Sequence, residues 1–280
     1  MEYYKRLDVK RAILDFARAG DGIAVRECAF YNRHARKVQR YLSLEDAGRG
    51  RPILFDSEAA FELALRAGAS AFYCSYWRSP QPQEPLYPLG RDLAWTIRAT
   101  RGGLRFAKAV TVGALDALAD GGFYEPWVKY SGELGFDLVI PLEAISNDVW
   151  AGDIEALGDL QGALTRYIVS YLVERFPGFY IDVADSRVTI GKGSNTCLLS
   201  ELRLRRGLLL APMSLNPKSG LVSLPLTPER VADFSVLDAS PADASPYPWE
   251  PPQNTAQELI RQVYGWRQAT EPVEIKITAF

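Results

Sequence analysis

The chain has 280 residues, 48% of them hydrophobic and 24% charged, with a net charge of −2. That composition excludes the apolar-poor, highly charged class that stays disordered, and the near-zero charge excludes whole-molecule attraction to nucleic acid, so any basic groove has to be local. No apolar run reaches the roughly 20 residues of a bilayer crossing, and MEYYKRLDVKR lacks a secretory signal's apolar stretch, so the expectation is a cytoplasmic protein with no membrane partner.

In chain order, residues 9–19 read as a short amphipathic helix before Gly20, and 57–67 as another, capped by Ser57 and stopped by Gly68. SAFYCSYWRS and DLAWTIRAT read as two β-rich segments joined by the proline-rich QPQEPLYPLGR, with Tyr73, Trp77 and Trp95 on strands as core aromatics. LRFAKAVTVGALDALADGG becomes helical and ends at Gly121-Gly122. WVKYSGELGFDLVIPLEAI reads as a hairpin, two apolar runs about a Ser-Gly-Glu-Leu-Gly turn. Residues 159–176 form a helix with one buried face, followed by strand candidates FYIDV, RVTI and GLVSLPL around the basic ELRLRRGLLL. A proline-rich surface linker at 239–254, a helix at 255–267 and a last strand, VEIKITAF, complete the chain, giving a core at 1–238 and an extension at 255–280.

The chemistry-bearing residues are sparse. Cys28, Cys74 and Cys197 stand far apart without a C-x-x-C pair and read as buried thiols, while His34, the only histidine, reads as exposed; this set does not supply a structural zinc site. Basic residues cluster at Arg33, Arg36, Lys37 and Arg40, at Arg98, Arg101, Arg105 and Lys108, and at Arg203, Arg205, Arg206 and Lys218. Convergence of such clusters on one groove would make a phosphate-binding field.

Three segments occur in a recognisable order: LGRDLAWTIRA after AFYCSYWRSPQPQ, then YSGELGFDL, then APMSLNPKSGLVSLPL. Together with MEYYKRL and GRGRPILF they resemble the archaeal-eukaryotic primase family, specifically the small catalytic subunit of DNA primase. The resemblance implies an α+β primase/polymerase catalytic core, two modules of mixed sheet and helices around a central cleft, here without the zinc module of many relatives. It also implies a two-metal nucleotidyl-transfer site, in which paired carboxylates two residues apart on a strand share one face and hold Mg²⁺ or Mn²⁺.

The matching positions depart from that chemistry. Thr96 and Arg98 stand at the D-x-D pair and Gly191 at the third carboxylate, so no metal is expected there. Asp137 stands at the hairpin histidine that contacts phosphate in the family, Asn216 at the histidine of the third segment, and Ser219 at its threonine. Ser131, Gly132, Gly135, Ser214, Asn216 and Lys218 remain as nucleotide- or phosphate-binding candidates, with Arg98 able to hold a phosphate in place of a metal. Arg101, Arg105, Lys108, Arg205 and Arg206 are the candidate nucleic-acid contacts. A relocated metal site would have to gather Asp92, about 13 Å along the strand from Thr96, with Asp137 and Asp182 or Asp185.

The expected function is therefore a primase-small-subunit-like protein of replication or repair that has lost catalysis but binds nucleic acid or nucleotide. Its expected partners are single-stranded DNA or a primer-template, a nucleoside triphosphate, and a large subunit or other replication protein. The alternatives are an active enzyme with relocated Mg²⁺ or Mn²⁺ ligands and a non-catalytic scaffold subunit.

Overall fold

The structure, a computed structural model, describes residues 2–18, 25–42, 51–80, 88–184, 187–204 and 207–269. The expected strand at 273–280, the connection at 81–87, Gly20, Asp185, Arg205 and Arg206 lie outside the described residues.

Chain order runs α1 (Leu7–Arg18), β1 (Val25–Asn32), β2 (Lys37–Gln39), β3 (Tyr41–Leu42), β4 (Arg51–Pro52), α2 (Glu58–Arg66), β5 (Ala69–Ser79), β6 (Gly90–Arg91), β7 (Leu93–Arg101) and α3 (Gly103–Asp120). It continues through β8 (Trp127–Tyr130), β9 (Gly135–Ile140), α4 (Asn147–Trp150), α5 (Ile154–Arg175), β10 (Tyr180–Ala184), β11 (Arg187–Lys192), β12 (Asn195–Leu202), β13 (Leu208–Leu210), β14 (Pro225–Leu226), α6 (Arg230–Asp233) and α7 (Gln257–Ala269).

Local chemistry accounts for the clearest helices. On α1, Val9, Ile13, Phe16 and Ala17 recur at helical spacing and form the buried stripe. On α2 the Ser57 side chain accepts a hydrogen bond from the Ala60 amide, and the chain leaves at Gly68 with φ +96. The helix expected at 159–176 begins earlier, at Ile154, because Asp153 caps it by accepting from the Glu155 amide.

Two antiparallel sheets carry the fold. The first has strand order β13-β5-β1-β2 with β6 on β5, and the second has order β10-β11-β12-β7-β9-β8-β14. The two β-rich segments expected around the proline-rich connection are β5 and β7, and they belong to different sheets. Helices α1 and α2 cover the first sheet, where Tyr4, Phe55, Phe61 and Phe72 pack as a ring cluster. Helices α3 and α5 cover one face of the second, with α7 packed on α5. Helix α3 carries the chain from β7 to β8, and β9 inserts between those strands as a split β-α-β unit.

The strand expected at GLVSLPL is only the short β14 plus an isolated Leu215–Val222 bridge. Residues 211–224 instead fold back on themselves, with the Met213 amide bonded to the Ser223 carbonyl, the Ser223 amide to Ser214 and the Asn216 amide to Leu221. The proline-rich stretch runs along the core surface, held where Trp249 stacks on Trp127 at 5.1 Å and 8°. Trp127 Nε1 also donates to the Glu250 carbonyl, and the Asn254 amide bonds to the Glu143 carbonyl.

Candidate functional site

Strand β7 lies in the middle of the seven-stranded sheet, and alternation divides its side chains. Trp95, Ile97 and Ala99 are buried on the helix-covered face, where Trp95 Nε1 donates to Thr165 Oγ1 of α5 at 2.9 Å. Thr96, Arg98 and Thr100 take the opposite face, which solvent reaches. Register then sets rows across that face: Lys129, Asp137, Thr96, Ser200 and Arg187 form one, and Gly135, Arg98, Leu198, Thr189 and Asp182 the next. A third row holds Tyr180, Gly191 and Thr196.

Three of the positions named from the resemblance, Arg98, Asp137 and Gly191, have a physical occupation on this face. Arg98, with 51% of its side chain exposed, pairs with Glu133 of the β8–β9 turn. Asp137 is buried and accepts from Lys129 Nζ, an ammonium with no exposed side-chain surface that also donates to Ser223 Oγ at 2.8 Å. Gly191 lies directly beneath the Tyr180 ring, so a Cβ there would come within 2.0 Å of Tyr180 Cζ. A carboxylate side chain at 191 would require that ring to swing away.

The hairpin and the 211–224 loop support each other rather than forming an open anion cradle. Gly135 passes so close to β7 that a Cβ would stand 2.0 Å from the Ile97 carbonyl oxygen. Ser214 is fully buried; its Oγ accepts from the Phe72 amide at 2.7 Å and so ties the loop to the first sheet. Asn216 Oδ1 accepts from the Lys218 amide at 2.9 Å, while its Nδ2 donates to the Ser131 carbonyl at 3.3 Å. Ser219 Oγ donates to the Gly132 carbonyl at 2.5 Å. Lys218 projects into solvent, 3.7 Å from Glu133.

Asp92 sits at the other end of β7, between the two sheets. Its carboxylate is fully buried and receives Arg26 Nη1 at 2.5 Å, Arg78 Nη2 at 2.5 Å and the Leu142 amide at 3.0 Å. Arg78 continues to both oxygens of Glu143, and Arg26 donates to the Phe16 and Ser75 carbonyls. Burial pushes the Asp92 carboxyl up, but the two guanidiniums and the amide outweigh it and hold it below the ordinary carboxylate range.

Of the other sequence candidates, Arg101 and Arg105 are exposed where β7 hands over to α3. Lys108 donates to the Phe234 carbonyl at 2.9 Å, which ties its ammonium to the protein. Asp182 is exposed at mid-strand in β10, and His34 is exposed. Trp95 is fully buried, while Tyr73 and Trp77 are half-buried, Trp77 Nε1 donating to the Leu204 carbonyl. All three cysteines are buried, and burial pushes the Cys197 thiol up to about 12.

Lys129, Tyr180 and Arg187 belong to the face and were not singled out from the sequence. Alternation could place Tyr180 and Gly191 on strands, but only pairing sets one above the other.

The donor set does not fit a divalent-metal pair. Thr96 offers a neutral hydroxyl, Arg98 a permanent cation and Gly191 no side chain, while Asp137 and Asp92 are held by cations. Among the described residues no three His, Cys, Asp or Glu side chains gather where they could hold a metal ion.

No protein-family model and no curated protein matches the chain. Among solved structures it is similar to the polymerase domain of Mycobacterium tuberculosis Ligase D in complex with DNA, at 18% identity and a TM-score of 0.55, over 94% of this chain and 87% of that one. The likeness is one of fold: the chain shares the α+β architecture of that polymerase domain. Among the described residues no helix is long and apolar enough to cross a membrane.

Proposed function

We propose that this chain is a primase-small-subunit-like protein of replication or repair that binds nucleic acid or nucleotide phosphates without catalysing nucleotidyl transfer. The observation that carries this reading is the open face around β7, where Arg98 projects beside Thr96 and an Asp137 already neutralised by a buried lysine. Two-metal transfer needs a gathered set of carboxylates, which the described residues of this face do not offer, whereas a guanidinium holds phosphate oxygens through charge-assisted hydrogen bonds with no ion between them. The DNA bound to the polymerase domain of similar fold supports a nucleic-acid ligand, single-stranded DNA or a primer-template, for this face. A large subunit or another replication protein as partner belongs to the same proposal.

Titration of a fluorescently labelled single-stranded oligonucleotide by anisotropy tests it, with EDTA in one series and Mg²⁺ in the other. Equal affinity in both, falling as salt rises, is the expected result, together with no primer extension in Mg²⁺ or Mn²⁺. Extension, or binding that EDTA abolishes, overturns the proposal in favour of relocated metal ligands. No binding in either series, with no extension, would leave a scaffold.

A further inference from the structure

The Tyr180 ring lies across Gly191 and is 47% exposed, so one ring face rests on the sheet and the other meets solvent. Glycine at 191 is what allows this: any side chain there would lift the ring off the sheet. Hydroxyl groups surround the platform on the same face, with Thr196 in its row, Thr189 beside it and Thr100 bonded to Thr196 Oγ1 at 2.6 Å. Arg187 and Arg98 stand on the same face at greater distance, Arg187 two rows along and Arg98 three strands across, about 14 Å at the usual strand spacing.

Resting on the nucleic-acid reading above, we propose that Tyr180 over Gly191 is a base-stacking subsite, and that the ligand of this face is single-stranded nucleic acid bound with a base turned onto the sheet. A half-exposed aromatic ring backed by flat backbone offers its π-face to any unpaired base, whereas the bases of a duplex are already stacked on each other. Charge sets the polarity of binding. Asp182, on the row between Tyr180 and Arg187, stands with Tyr180 on the edge strand β10 and repels a phosphate track over that end of the face. Its carboxylate and the threonine hydroxyls can instead meet base edges, while Arg98 on the central strand β7 and Arg187 two rows from the ring take phosphates.

Three titrations separate this subsite from plain phosphate binding: a labelled oligo-dT, an abasic oligonucleotide of the same length and charge, and the oligo-dT annealed to its complement. The protein should bind oligo-dT more tightly than either of the others. Tyr180→Leu should weaken oligo-dT binding about 5- to 100-fold and leave abasic binding unchanged, while Tyr180→Trp retains the wild-type preference. Arg98→Gln should weaken both. Oligo-dT binding unchanged by Tyr180→Leu, or equal loss on the dT and abasic strands, overturns the stacking subsite and leaves the phosphate-binding proposal standing. If neither single strand binds, the proposed function itself fails.

Discussion

Strand β7 passes through two environments that treat charge in opposite ways. At its start Asp92 is sealed between the sheets with Arg26, Arg78 and Glu143, and each of these four groups meets one of opposite sign. A few residues later Arg98 stands on an open sheet face paired with Glu133, and Lys218 reaches the same glutamate from solvent. The sealed end holds the sheets together, since its ions lie on β1, β5, the β6–β7 junction and the segment after β9. The open end keeps its cation accessible. Ionic groups identify a binding surface only when water can reach them, and the burial of Asp92 removes it from that role.

The largest effect should come from breaking the sealed end. Asp92→Asn leaves two buried guanidiniums with one remaining carboxylate, and loss of one partner in such a network costs about 3–5 kcal/mol. A urea-unfolding midpoint shift equivalent to less than about 1 kcal/mol would mean that the network does not join the sheets. Asp137→Asn, which strands the buried Lys129 ammonium, should be comparably destabilising in the same assay.

Acid probes the same contrast. The folded carboxyl of Asp92 lies below its unfolded value of about 3.9, so its contribution is fully present above that pH and is lost as pH falls through the folded value. Stability measured between about pH 6 and pH 3 should fall less steeply in Asp92→Asn than in the wild type. Equal slopes would contradict the assignment.

At the open end the effects should appear in binding rather than stability. Arg98→Gln should leave the melting temperature nearly unchanged, because an exposed pair contributes about 0–1 kcal/mol. It should reduce the salt dependence of single-strand binding by about 0.7 in the log–log slope, the value of one lost phosphate contact. An unchanged slope would remove Arg98 from the interface. The smallest effect is expected from Lys218→Ala, under about 0.5 kcal/mol on stability in a thermal melt, since the ammonium is three-quarters exposed and 3.7 Å from Glu133.

Legibility in the sequence followed the range of the interaction. The β8–β9 hairpin could be read because its two apolar runs and glycine turn are contiguous, and α2 because Ser57 and Gly68 mark its ends. The retained glycines of the hairpin were legible as residues but not as causes: Gly135 is required by the Ile97 carbonyl, which no local pattern reveals. Ser214 and Asn216 read as ligand-binding groups, yet their hydrogen bonds go to Phe72 and Ser131, far away in the chain.

By itself, the sequence determined the type of elements such as α2, α5 and the β8–β9 hairpin, the α+β class and the residue chemistry at 96, 98 and 191, because propensity, capping and side-chain identity are local properties. Tertiary structure alone decided which charges are sealed and which are open. Arg26 and Asp92 lie 66 residues apart, and Tyr180 meets Gly191 only through the β10–β11 register. Cross-strand register and sheet packing place one side chain against another, and they are settled by the fold of the whole chain rather than by any segment of it.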